Sequence, residues 1–342
     1  MFTLTCEEYP DKDEMRHLLR WLMRLRDKIS KSKRPVVVYE ILPPRIIDGT
    51  IESYAERIST LLSKTHIDAI NIPEVHAEES RGDRPVEGRK RAIPREFGRI
   101  IQDSVGVEVI VNRVTVLENH KDQRVWFRET SEDFGIDNIV LVGGESSQIN
   151  YPGPGVSEAA TMIEEINSET GGSIFSGGIV LPSRKVESER MEEKSRNGVK
   201  FFTTQVLYDS DDICRLLWHY NNAVEERGSE PRRVLLSFAP ISTKKNLDFL
   251  KWLGVEIPEE TEEKLIQSEE GIKERSIEIC MELLEDILAF VTENEIRVPI
   301  GLNVEHIMTY NFDHSVELLQ KMSKRYRSFC MGSDLYRPRP DS

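Results

Sequence analysis

From residue 36 onward the chain alternates between short, nearly all-apolar runs rich in β-branched residues and longer charged stretches whose apolar positions recur every three or four residues. The runs VVVYEI (36–41), IDAINI (67–72), VEVIVN (107–112), NIVLV (138–142), SIFSGGIVL (173–181), KFFTT (200–204), RVLLSF (233–238) and VPIGL (298–302) predict eight strands. Apolar residues at successive positions, rather than at every second one, mark strands covered on both faces by helices. The intervening periodicity predicts helices near 50–64, 89–104, 121–134, 156–169, 186–197, 210–227, 243–253, 269–293 and 313–325. Ahead of them, Leu18, Leu19, Leu22, Leu25 and Ile29 form one helical stripe, which Pro35 closes off.

Eight strand–helix units predict an α/β fold of the (β/α)8 TIM-barrel type. A barrel of about 250 residues leaves an excess here, which falls in the N-terminal helix and in an enlarged connection over 239–297. A doubly wound open sheet competes with the barrel, but no G-x-G-x-x-G follows the first strand. The expected division is an N-terminal helical extension (1–34), a single barrel domain (35–328) and a C-terminal tail (329–342).

The 342 residues carry 46 Lys and Arg against 60 Asp and Glu, a net charge of −14, which argues against a general nucleic-acid binder. With a mean hydropathy of −0.44 and apolar runs far shorter than the ~20 residues of a membrane span, a soluble protein is expected. The acidic N-terminus does not read as a secretory signal, and Cys6, Cys214, Cys280 and Cys330 have no CxxC spacing. A cytoplasmic protein without disulfides or metal is the expectation; the oligomeric state is open. The histidines lack H-x-x-x-H spacing, and no G-x-S-x-G or Walker pattern is present.

Barrel chemistry sits at the C-terminal ends of strands, so polar residues there carry weight. Glu40 is an acid inside an apolar strand just before Pro43-Pro44. Desolvation would raise its pKa and suit it to proton donation, while pairing with Arg45 is the structural alternative. LVGGESS (141–147) and YPGPGVSEA (151–159) place glycines between a strand and a helix, where freed backbone amides can hold phosphate or simply form a loop. Gln205 ends a strand with an amide able to read a ring edge, or to bond a turn. Asn303, Glu305 and His306 follow the last predicted strand, as an acid–base pair or as helix caps. Arg81, Arg84, Arg89 and Arg91 form a basic loop that could steer an anion or stay solvated.

These blocks resemble the methylenetetrahydrofolate reductase family, a flavin-dependent (β/α)8 barrel. YEILPPR resembles its F-E-F-F-P-P strand, FGIDNIVLVGG its G-I-x-N-I-L-A-L-R-G-D, and RMEEKSRNGVKFFTTQVLYD its L-K-x-K block ending in T-Q-x-F-F-D. RVLLSFAPISTKKNLDFLKWLGVEIPEE resembles its P-I-x-P-G-I-M-P-I stretch and the G-V-x-I-P after it, so the resemblance spans roughly residues 36–310. It implies one-carbon chemistry in which NAD(P)H reduces FAD and the flavin passes a hydride to methylenetetrahydrofolate. Glu40 would be the acid that opens the methylene bridge, and Gln205 would contact pterin and nicotinamide. Asn303 is the further substrate-contact candidate, and Arg113, Thr115, Gly143, Gly144, Glu145 and Lys194 are the flavin-contact candidates.

The departures fall mostly on the flavin side. Val142-Gly143-Gly144 stands where the family has R-G-D, Arg113 stands where it has the histidine of H-L-T-C, and Glu193-Lys194 replaces a basic pair. The second strand ends in Asn71-Ile72-Pro73-Glu74 where the family has V-T-Y-G, and Val304 replaces an arginine. The resemblance implies an oxidoreductase, a divergent reductase in which Arg113 and Lys194 supply charge for the flavin diphosphate. This reading is preferred because Glu40 and Gln205, which the one-carbon chemistry needs, are retained; the alternative is a pterin-binding barrel subunit without tightly held flavin or redox activity. A third, outside the family, is a barrel lyase or aldolase with Glu40 as base.

Overall fold

The computed structural model describes residues 24–31, 34–76, 85, 90–144, 149–268, 270–308 and 311–332. Eight parallel strands close into one barrel: β1 (Val37–Ile41), β2 (Ala69–Ile72), β3 (Glu108–Val114), β4 (Asn138–Val142), β5 (Phe175–Val180), β6 (Phe201–Val206), β7 (Arg233–Phe238) and β8 (Ile300–His306). β8 closes the ring on β1, from Val37 opposite Leu302 to Ile41 opposite His306. The surrounding helices are α1 (Leu25–Ser30), α2 (Ile51–Leu62), α3 (Pro94–Val105), α4 (His120–Glu132), α5 (Val156–Thr170), α6 (Glu187–Arg196), α7 (Ser210–Arg227), α8 (Lys244–Trp252), α9 (Glu259–Ile266), α10 (Ile272–Glu293) and α11 (Phe312–Gly332).

Two apolar shells explain why the strands read as continuous hydrophobic runs. Side chains alternate across a strand, so Val37, Tyr39 and Ile41 of β1 face the helices and belong to the large outer core. Val36 and Val38 face inward, where they meet Ala69, Ile110, Val140, Phe175, Phe201 and Leu235. Phe175 and Phe201 stack with centroids 5.5 Å apart, and Gly177 makes room for them: a Cβ there would lie 2.5 Å from the Phe201 ring.

The N-terminal end of the barrel is closed by α1, whose Leu25 and Ile29 enter the inner core. The Leu25 amide donates to Glu108 at the foot of β3. Arg233, 1% exposed at the foot of β7, donates to the carbonyls of Ile29 (3.0 Å), Lys31 (2.6 Å) and Ile300. Only the last part of the predicted 18–29 stripe is described; its earlier positions lie outside the described residues.

Several boundaries differ from the sequence reading, each for a local reason. The helix expected from 89 begins at Pro94, whose fixed φ suits a first helical turn and leaves Ile93 extended. α11 runs to Gly332, past the expected tail boundary at 329, because Tyr326 and Cys330 pack on the barrel. α9 was not foreseen: only Leu265 of its eight residues is buried, so it carries little periodic signal. β6 extends through a register shift between Thr203 and Val206, which places Gln205 in an irregular strand segment. β8 continues through His306, so Asn303 and Glu305 lie within the strand and are not helix caps.

Among the described residues, no helix is long and apolar enough to cross a membrane, and no group of three His, Cys, Asp or Glu side chains is placed to hold a metal ion.

Candidate functional site

With one end closed, the polar residues of the inner face gather at the C-terminal mouth. Glu40 continues the inward series of Val36 and Val38, and its neighbours in register are Asn71 on β2 and Glu305 on β8. One step deeper, Asn303 stands opposite both Val38 and Ser237. Asn112 follows the inward Ile110 on β3. Two carboxyls and three amides thus line one wall of the barrel mouth, above the inner apolar core.

The amides hold the carboxyls. Asn71 Nδ2 donates to Glu40 Oε2 at 2.5 Å, while Asn303 Nδ2 donates to Glu305 Oε1 (3.1 Å) and Ser237 Oγ (3.0 Å). The carbonyl oxygens Oδ1 of Asn71, Asn112 and Asn303 are buried without a hydrogen-bond partner among the described residues. An unpaired buried acceptor costs about 1–3 kcal/mol, so three around one mouth mark a place for a donor-bearing ligand. Burial pushes the Glu40 carboxyl up to about 7, against the pull of the donors Asn303 and Asn71. Burial, and then the charge of Glu40, push Glu305 well above the carboxylate range. Such a carboxyl can hold a proton at neutral pH and release it to a ligand.

Glu305 and His306 do not form the acid–base pair that their adjacency suggested. Neighbouring residues of a strand face opposite sides, and His306 packs outside the sheet, edge-on to Phe312 at 5.3 Å. Burial, followed by the charges of Arg91 and Arg57, lowers its imidazole to about 3.

Gln205 is engaged away from the carboxyls: its Nε2 donates to the Leu253 carbonyl (3.2 Å) and its Oε1 accepts from the Val206 amide (3.1 Å). The structure therefore brings Glu40 and Asn303 together and turns Gln205 toward the end of α8.

The residues expected to meet flavin are occupied by the protein itself. Arg113 is 5% exposed; it donates to Glu74 (2.8 Å), Gln123 (3.0 Å) and Glu118, and lies over the Trp126 ring at 4.6 Å. Burial alone would raise Glu74, but the bond from His76 and the charge of Arg113 outweigh it and hold that carboxyl low. Lys194 donates to the Ile179 carbonyl (2.8 Å) and pairs with buried Glu187 (3.2 Å); burial lowers its ammonium pKa. Thr115 Oγ1 bonds the Pro154 and Val142 carbonyls. A Cβ on Gly144 would lie 2.3 Å from the Tyr151 ring, so that glycine opens no cradle, while one on Gly143 would meet Val156 at an ordinary contact distance of 3.5 Å. Glu145, Arg81, Arg84 and Arg89 lie outside the described residues, and Arg91 Nη1 donates to the Pro43 carbonyl at 2.7 Å. The described residues do not fit a flavin diphosphate, because both cations expected to meet it are already neutralised and the space beside Gly144 is filled.

Asn71 and Asn112 were not singled out as binding residues, although each carries the signal that drew attention to Glu40: a polar side chain near the end of an apolar strand.

Fold and mouth together define a (β/α)8 barrel whose candidate ligand site is a buried carboxyl–amide cluster. The family model described as methylenetetrahydrofolate reductase matches residues 24–324, and the chain belongs to that family. A solved structure of a Clostridium thermocellum protein, described as uncharacterized and as binding two copies of 5-methyl-5,6,7,8-tetrahydrofolic acid, is similar with a TM-score of 0.73. Its identity is 21%, over 88% of this chain and 99% of that chain, a likeness that shows the fold. 2,3-Dimethylmalate lyase, of the PEP mutase/isocitrate lyase superfamily, aligns with a TM-score of 0.43 at 11% identity, over 63% of this chain and 69% of its own. No curated protein matches the chain.

Proposed function

We propose that the barrel mouth binds a reduced one-carbon pterin, a folate or a close relative, with Glu40 as proton donor to it. The observation that carries this is the inward-facing Glu40, pushed up to about 7 and held by Asn71 among unpaired amide oxygens. Family membership and the methyltetrahydrofolate bound by the Clostridium thermocellum protein support the ligand class. The ring edge of a reduced pterin offers amino and N–H donors, which suit the three unpaired Oδ1 atoms.

On a methylene-bridged carrier, the proton of Glu40 passes to the leaving nitrogen of the bridge. The C–N bond breaks toward that nitrogen, and the lone pair of the other nitrogen forms an iminium. Reduction of the iminium by a hydride originating in NAD(P)H would complete the oxidoreductase reaction that the family suggests. The partners of Arg113 and Lys194 speak against a tightly held flavin, which is the cofactor half of the second reading, while the acid role of Glu40 belongs to the first.

Calorimetry with 5-methyltetrahydrofolate tests the ligand class: one saturable heat is expected from the wild-type chain, reduced at least tenfold in affinity by Asn71→Ala. No heat from the folded wild-type protein would sink the proposal. For the acid role, Glu40→Gln should abolish turnover of methylenetetrahydrofolate while preserving binding of the methyl form. Turnover at the wild-type rate would show that the carboxyl is not the acid.

A further inference from the structure

We infer that Glu305 is the proton-sharing partner of Glu40, a positioning residue that keeps one proton on the pair at neutral pH so that Glu40 can donate it. This rests on the reading of Glu40 as proton donor to a pterin.

The geometry begins with register. Glu40 and Glu305 are Cα partners on adjacent parallel strands, which stand about 4.8 Å apart, and both project inward. Asn303 supports the pair from below, donating to Glu305 at 3.1 Å, and Asn71 donates to Glu40 from the other side. These are neutral donors, and neither carboxyl has an ion-pair partner among the described residues. The charged and titratable groups on the neighbouring elements are committed elsewhere. On the β2 side Glu74 pairs with Arg113 and His76, and on β8 His306 faces the helices. After β1, Arg45 and Arg91 are joined by a backbone bridge, and Arg91 donates to the Pro43 carbonyl. β7 contributes only the Ser237 hydroxyl. Two negative charges on facing carboxyls, without a cation, are disfavoured, so one proton is retained between them.

The proton balance is simple. The proton on Glu40 moves to a ligand nitrogen, which leaves two carboxylates facing a cationic ligand. When the product departs, that charge is no longer compensated and the pair recovers a proton from solvent. Burial alone could raise Glu40; the added role of Glu305 is to make its ionisation depend on a second carboxyl.

Infrared spectroscopy of the ligand-free, full-length protein with isotope-labelled glutamate reads the protonated carboxyls directly as pH is varied. In the wild type, a carboxyl proton should be lost near neutrality and another only at higher pH. Glu305→Gln keeps an acceptor for Asn303 but removes the second carboxyl, so the step at higher pH should vanish and Glu40 should lose its proton in a single step near neutrality. Reciprocally, Glu40→Gln should lower the Glu305 midpoint, and this arm decides if Glu305→Gln fails to fold. A step at higher pH that survives in Glu305→Gln, or a Glu305 midpoint unchanged in Glu40→Gln, overturns proton sharing. Because no ligand is present, that failure leaves pterin binding standing; a coupled titration with no calorimetric heat from 5-methyltetrahydrofolate would separate the two in the other direction.

Discussion

Glu40 is held in a place that suits a proton donor and opposes folding. Its folded pKa of about 7 lies above the ordinary 4.5, so between these values the folded state binds more protons than the unfolded one and stability falls as pH rises. Glu40→Gln should therefore gain up to about 3 kcal/mol over wild type at pH 8, with no gain at pH 4, as measured by urea unfolding. Equal stability of the two proteins at pH 8 would mean that the carboxyl is not desolvated. His306 has the opposite sign: its neutral imidazole contributes stability above about pH 6.5 that is lost as pH falls toward about 3. Glu40 was legible in the sequence because a charge inside YEI conflicts with an apolar strand. The inward role of Glu305 was hidden, because Asn303, Glu305 and His306 made the last strand look finished. Arg113 could be noticed, but not its neutralisation, since Glu74 reaches it from 39 residues away.

At the scale of elements, the strand–helix alternation was readable because two apolar shells put hydrophobic residues at almost every strand position. What was not readable depended on tertiary contacts. α9 buries a single side chain, Gln205 sits beside a register shift, and α11 is prolonged by packing that periodicity alone does not show. The closure by α1 is of this kind too, for its carbonyls find their donor on β7, about 200 residues away. Arg233→Met would retain much of the apolar stem but leave the Ile29, Lys31 and Ile300 carbonyls unpaired. A loss of about 3 kcal/mol or more in urea unfolding is expected, with faster proteolysis within residues 24–31. Undiminished stability would show that the guanidinium is dispensable to the closure.

For the molecule as a whole, family membership and site chemistry point in different directions over the cofactor. The family resemblance implies FAD, whereas the two cations expected to meet it, Arg113 and Lys194, are paired within the chain. The purified protein is accordingly expected to lack flavin absorbance, and added FAD should not raise its melting temperature, as a ligand specific to the folded state would. A yellow protein stabilised by FAD would overturn that expectation. The net charge of −14 bears on solubility and association more than on the mouth. The floor formed by α1 and Arg233 closes the barrel below, so a carrier bound as proposed would leave by the same end through which its replacement enters. On the proposed reading, turnover would proceed as exchange. A second reactant of the proposed reaction would then have to settle above the first.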